Sequence, residues 1–194
     1  MKQFDNRKDL SLCEKMALMC YRDIGYPQHI WRRIKIKGIR SNVDCDVMNG
    51  YLRGKIKESK FPKLNFKYLK YLIATITHII DKSSVDRKLF MVYKGVSYFP
   101  ELDDLSVDDK FVDMAFNSFS TSEKKALEYS KKNKKGENII FALELKRGDK
   151  AVYMDNVEHE WLVQRGSKYH IVRIGKFEKS KIWGKAIIYY LRLI

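Results

Sequence analysis

The sequence is short of the devices that staple small secreted proteins or hold metals. Its three cysteines, Cys13, Cys20 and Cys45, are odd in number and form no Cys-x-x-Cys pair. That spacing excludes a disulfide framework and the common zinc patterns, and it fits a reducing compartment. Cys13 and Cys20 read as small apolar residues on one helix face. His29, His78 and His170 have no partner spacing for a metal or a catalytic triad. No apolar leader core follows Met1-Lys2-Gln3-Phe4-Asp5. The longest apolar stretch, near Tyr71 to Ile80, is broken by Thr75, Thr77 and His78 and is too short to span a bilayer. The expectation is a cytoplasmic protein with no membrane contact and no metal. There is no internal repeat, no low-complexity linker and no glycine-rich phosphate loop.

What is present is a chain of 194 residues, 45% apolar and 13% aromatic. That is enough for one packed domain, or one domain with a helical extension. The formal net charge is +15. Residues 1–90 carry 20 Lys/Arg against 9 Asp/Glu, and residues 91–194 carry 19 against 15, so most of the excess lies in the first half. Such a surface draws nucleic acid, a nucleic-acid-bound protein or another acidic partner. A solvated lysine-rich face would have the same composition.

Helical signals come first. Residues 9–25 predict a helix, with Ser11 and Glu14 as a capping box, Leu12, Met16, Met19 and Cys20 on one face, and Gly25 as the stop. Residues 28–60 are basic and give no clear element. Residues 65–81 predict a second helix, because Phe66, Leu69, Leu72, Ile73, Ile76, Ile79 and Ile80 recur at helical spacing. Near residue 88 the pattern turns to short strands: Leu89–Tyr93, Asn138–Leu145, Ala151–Met154, Glu158–Gln164, Lys168–Ile174 and Ile182–Leu193. One helix, Ser122 to Lys132, interrupts them, with Ser122 as its N-cap. The fold class is α+β: a basic, mainly helical part over residues 1–86, then a strand-rich core over 87–194, together one compact domain.

Three segments carry chemistry. Val92-Tyr93-Lys94-Gly95 ends a strand, Phe119-Ser120-Thr121-Ser122 enters a helix, and Glu158-His159-Glu160 lies on a strand. Alternation along that strand puts Glu158, Glu160 and Leu162 on one face and His159, Trp161 and Val163 on the other. Two carboxylates so close raise one another's pKa unless solvent or a cationic ligand meets them. Each segment alone has a plain reading: an exposed edge strand, a helix cap, a strand running into a turn.

In this order and spacing the three segments resemble the mono-ADP-ribosyltransferase superfamily of the Arg–Ser–Glu motif class, over about residues 88–175. The run Glu158-His159-Glu160-Trp161-Leu162-Val163, continued by Gly166-Ser167-Lys168-Tyr169, is the most specific part, and it looks most like the host-modifying enzymes of phages. The resemblance implies a split mixed β-sandwich with NAD between two small sheets. Lys94 stands where the family has an arginine on NAD phosphate or ribose, and Gly95 where backbone groups grip the nicotinamide amide. Ser120, Thr121 and Ser122 support the site by hydrogen bonds, and Asn117 matches a polar NAD contact in part of the family. Glu160 matches the catalytic glutamate. Glu158 matches the residue that goes with arginine as acceptor. The partner implied is a host protein, nucleic-acid-associated ones included, or RNA, with the enzyme a monomer.

The sequence departs from the family at Lys94, which carries charge but lacks the planar fork of arginine for bidentate phosphate contact. A second basic residue, Lys134 or Lys135, could assist the phosphates. Arg53-Gly54 repeats an Arg-Gly pair, but far upstream and without an apolar strand before it. Tyr129 could stack on nicotinamide, while the plain reading puts it in the core. The alternative function is a basic module that binds nucleic acid or NAD on this fold with little or no turnover.

Overall fold

Capping and apolar spacing fix the helices. In the computed structural model, which describes residues 9–22, 43–62, 64–97, 102, 104–155 and 159–194, the chain divides into two compact units. One is Asp9–Ile79 and the other carries Ile80–Ile194.

The first unit is helical. Helix α1 spans Leu12–Arg22, and its capping box forms as the sequence predicts. Ser11 N donates to Glu14 Oε2 at 2.8 Å and Glu14 N donates to Ser11 Oγ at 3.3 Å. The buried stripe is rotated from the predicted one: Ala17, Leu18, Cys20 and Tyr21 are buried, whereas Leu12 and Met19 are exposed. Cys13 is likewise exposed rather than packed. Helix α2, Cys45–Leu52, lies in the stretch that gave no clear element. Asp44 caps it, accepting from Val47 N at 3.0 Å. Arg53 and Gly54 close this helix, Gly54 at φ +71°, so that Arg-Gly pair belongs to a helix end and not to a strand. Helix α3, Phe66–Lys82, buries Leu69, Leu72, Ile73, Ile76, Ile79 and Ile80 as its periodicity requires.

The second unit is a mixed sheet of eight strands in the order β2-β7-β8-β4-β1-β3-β6-β5. The strands are β1 Leu89–Val96, β2 Lys110–Asp113, β3 Asn117–Ser120, β4 Asn138–Lys146, β5 Ala151–Asp155, β6 Glu160–Val163, β7 Ser167–Ser180 and β8 Gly184–Leu193. Strands β4 and β8 run parallel, and the other pairs of described strands run antiparallel. The sheet is split. Strands β1 and β3 share one backbone pair, Tyr93 with Ser120, and that pair joins the group β2-β7-β8-β4-β1 to the group β3-β6-β5. Val92, Phe119, Tyr153, Trp161, Tyr169 and Leu191, drawn from both groups, make the main core. Strand β4 is apolar on both faces: Ile139 and Leu143 join that core, and Ile140 and Ala142 join a second one under helix α4, Glu123–Tyr129. Strands β2 and β3 were not legible in the sequence. Four polar-rich residues each, they owe their conformation to their neighbours.

Helix α4 begins at the predicted N-cap, Ser122 Oγ accepting from Lys125 N at 3.3 Å. It lies backbone to backbone on β1. A Cβ on Gly95 would sit 2.0 Å from the Ala126 carbonyl oxygen and 2.4 Å from Ser130 N. Tyr129, at the far end of α4, is 53% exposed, so the core reading of this residue is overturned: its side chain leaves the sheet as the helix ends. Gly95→Ala must push α4 off β1. It is expected to lower unfolding free energy by about 1–3 kcal/mol in urea titration, with the loss confined to the strand-rich unit.

Candidate active site

The candidate residues gather around the seam between the two halves of the sheet. Strand β3 pairs with β6 in the register Asn117 with Val163, Ser118 with Leu162, Phe119 with Trp161 and Ser120 with Glu160. Antiparallel partners share a face, so Ser118, Ser120, Glu160 and Tyr93 point to one side. Asn117, Phe119 and Trp161 point to the other, as does Lys94 by alternation from Tyr93.

Glu160 is 8% exposed, and an ionised carboxylate so far out of water needs donors. Ser118 supplies one: its hydroxyl donates to Glu160 Oε1. Ser120, on the same face and directly opposite Glu160, is buried, and its Oγ accepts from Ser122 N at 2.9 Å. Thr121 N donates to the His159 carbonyl at 2.9 Å, which fastens the end of β3 to the start of β6. Ser122 caps α4. The Ser-Thr-Ser run therefore has three local jobs: a side chain facing the glutamate, a backbone stitch and a helix cap. Beneath Glu160, Trp161 is buried against Phe90 and Tyr153, with ring centroids 5.3 and 5.4 Å away. That packing holds the first residue of β6 in place.

Strand β6 starts at Glu160, not at residue 158. His159 has φ +52° and sits in a turn, its ring 3.5 Å from the Tyr153 hydroxyl. A left-handed residue ends the strand's alternation. The expectation that Glu158 and Glu160 share a strand face therefore loses its basis. Glu158 itself lies outside the described residues.

On the other face, Lys94 Nζ donates to Asn117 Oδ1 and stands 5.8 Å from the centre of the Phe119 ring. Asn117 is 4% exposed, and its Nδ2 has no hydrogen-bond partner among the described residues. A buried amide donor left open beside an ammonium group suits a ligand rich in acceptors. The donor set thus fits NAD, whose phosphates and carboxamide supply such atoms. Gly95 has its own structural duty, the close approach of α4. Lys134 and Lys135 are exposed on a turn that Asn133 Oδ1 ties by accepting from Lys135 N and Glu137 N at 2.9 and 3.0 Å.

Two residues escaped the sequence reading. Ser118 lies two positions before Ser120, so strand alternation would have found it had the strand been recognised. Tyr93 hydrogen-bonds Glu123 in the first turn of α4. Burial first, then that carboxylate, push its hydroxyl from the ordinary 10.0 up to about 12. Among the described residues no group of His, Cys, Asp or Glu could hold a metal, and no helix is long and apolar enough to cross a membrane.

Ser118→Ala removes a donor from the ionised form of Glu160, so the Glu160 carboxyl should titrate at higher pH than in the unmodified protein. Carbon NMR of labelled glutamate reads this, and an unmoved titration would strike Ser118 from the site. For Tyr93 the folded pKa is the higher one, so its contribution to stability is complete below pH 10.0 and lost as pH rises through about 12. Tyr93→Phe should flatten that part of the stability–pH curve measured by urea unfolding, leaving the part due to Tyr68, whose hydroxyl burial also raises.

No family model matches the chain, and no curated protein matches it. Solved structures do. The ADP-ribosyltransferase Vis of Vibrio splendidus, in complex with agmatine, is 17% identical with a TM-score of 0.65, over 96% of this chain and 76% of that one. C3stau2 from S. aureus, solved with NAD, is 17% identical with a TM-score of 0.64, over 96% and 88%. The Clostridium limosum C3 exoenzyme is 18% identical with a TM-score of 0.60, over 100% and 90%. With its split sheet, its buried glutamate on β6 and its serines on β3, the chain has the α+β fold of the mono-ADP-ribosyltransferases.

Proposed function

We propose that the chain is a mono-ADP-ribosyltransferase that moves ADP-ribose from NAD to a macromolecular acceptor and releases nicotinamide. The observation that carries this reading is the buried Glu160 carboxylate, held by Ser118 and facing Ser120 on a fold whose solved relatives include one bound to NAD. Breaking the nicotinamide–ribose bond sends the bonding pair to the nicotinamide nitrogen and leaves positive charge on the ribose. An ionised Glu160, fixed in a site that excludes water, stabilises that charge without having to reorganise. Lys94 and the open Nδ2 of Asn117 are the groups we assign to the phosphate and amide acceptors of NAD, with Gly95 offering backbone contacts. Thr121 and Ser122 keep the serine-bearing turn in shape.

Glu158 is assigned to the acceptor. As general base it takes the proton that the nucleophile loses when it bonds to the ribose carbon. An arginine of a host protein is the favoured nucleophile. In support, Vis was solved with agmatine, which carries the same guanidinium head group. The rival reading, a binding module with little turnover, draws on Lys94, because a lysine in the arginine position grips phosphate through a single point charge.

Incubation with labelled NAD and host lysate separates the two. The unmodified protein should label an acceptor and release nicotinamide from NAD alone. Glu160→Ala should lower both by about 10²–10³-fold. Equal labelling by the two proteins would sink the assignment of Glu160. Absence of nicotinamide release, with NAD still bound, would select the binding module.

A further inference from the structure

The sheet registers place Glu160 at one end of a lateral row. Across the sheet run Glu160, Ser120, Tyr93, Ala142, Tyr190 and Arg173, each directly opposite the next. All six share a face. Helix α4 covers the middle of the row, where Glu123 meets Tyr93 and Gly95 meets Ala126. The far end, on β7 and β8, lies five strand spacings from Glu160, roughly 24 Å along the sheet.

That end is built unlike the rest of the strand-rich unit. Strand β2 pairs with β7 only from Ser167 to His170, and β4 pairs with β8 only from Ala186 onward. Strands β7 and β8 stay paired to Ser180 and Gly184, so they continue as a two-stranded ribbon past their neighbours. From Arg173 to Lys185 the ribbon holds Arg173, Lys176, Lys179, Lys181 and Lys185 against a single acid, Glu178. Lys185 is taken up by Glu178 at 3.6 Å and Glu137 at 4.0 Å. The other four cations lie on exposed residues.

Aromatic faces lie among these charges. The Arg173 guanidinium carbon is 3.8 Å from the centre of the Tyr190 ring. The Phe177 and Tyr190 rings close over Gly175: a Cβ there would come within 2.9 Å of Phe177 Cε2 and 3.3 Å of Tyr190 Cε2. Phe177 remains 38% exposed. Arg173, Tyr190, Gly175 and Phe177 thus form a strip in which the guanidinium lies on the Tyr190 ring and the Phe177 ring is partly exposed, with Lys179 and Lys181 at the ribbon's end.

We infer that this strip is a binding surface for single-stranded nucleic acid. Unpaired bases stack on aromatic and guanidinium planes, and their phosphates need cations at the border of the stack. A double helix keeps its base faces hidden and presents grooves, which a flat sheet surface does not fit. An acidic peptide would engage the lysines but has no use for the exposed Phe177 ring and the Arg173 plane. The surface is distinct from the Glu160 site and does not depend on the transferase reading.

The experiment is fluorescence anisotropy with a labelled oligouridylate about 12 nucleotides long, in about 50 mM salt. The intact protein and Glu160→Ala should bind alike. Phe177→Ser and Arg173→Gln should each weaken binding about tenfold. Lys179→Gln with Lys181→Gln should lower the slope of log affinity against log salt by about 1.4, two phosphate contacts on a single strand. Ultraviolet cross-linking of the intact protein should join the oligonucleotide to peptides containing Phe177 or Tyr190, a readout that needs no variant to fold. Any one of four results overturns the inference: no binding, full binding by Phe177→Ser and Arg173→Gln, equal competition by a duplex or polyglutamate, or cross-links only outside residues 173–190.

Discussion

Strands β1 and β3 touch through one backbone pair, Tyr93 with Ser120, and which face Lys94, Asn117, Ser120 and Glu160 take follows from it. Because the pair fixes register, Tyr93, Ser120 and Glu160 must share a face, while Lys94, Phe119 and Asn117 must take the other. Because only one pair forms, the two halves of the sheet can close on a common core. Phe119 and Trp161 from one half meet Val92, Tyr169 and Leu191 from the other in that core. A one-residue slip at this seam would turn Glu160 into the core and Trp161 out of it. Trp161, fully buried against Phe90 and Tyr153, is the side chain that forbids the slip.

Polar groups at the seam are expensive to bury, and each is dealt with locally. Glu160 has the Ser118 hydroxyl, Ser120 accepts from the Ser122 amide, and Thr121 bonds to His159. Asn117 keeps one donor open within the described residues. An apolar residue at position 117 would avoid the cost of burying that amide.

Much of the framework could be read from the residues in order. Helix α3 was legible because seven apolar residues at helical spacing outvote any local exception, and α4 because Ser122 is a strong cap. The later strands showed themselves by β-branched and aromatic runs. Strand β3 was not legible, since Asn117-Ser118-Phe119-Ser120 has the composition of a loop and becomes a strand only when β6 supplies its hydrogen bonds. Losing β3 meant losing Ser118. Helix α2 was hidden for a similar reason, its first turn resting on one side chain, Asp44.

The sequence by itself determined the class of fold and the order of its longer elements, because periodicity and residue type act along the chain, and its motif resemblance singled out Glu160. Tertiary structure alone decided which side chains share a face. Alternation forecast a carboxylate pair, yet His159 at φ +52° breaks the strand, so Glu160 enters β6 alone among the described residues. Lys94 and Glu160 are both at the seam but on opposite sides of it, a consequence of register that no local pattern contains. The lateral row from Glu160 to Arg173 likewise exists only once six strands, distant in sequence, have been laid side by side.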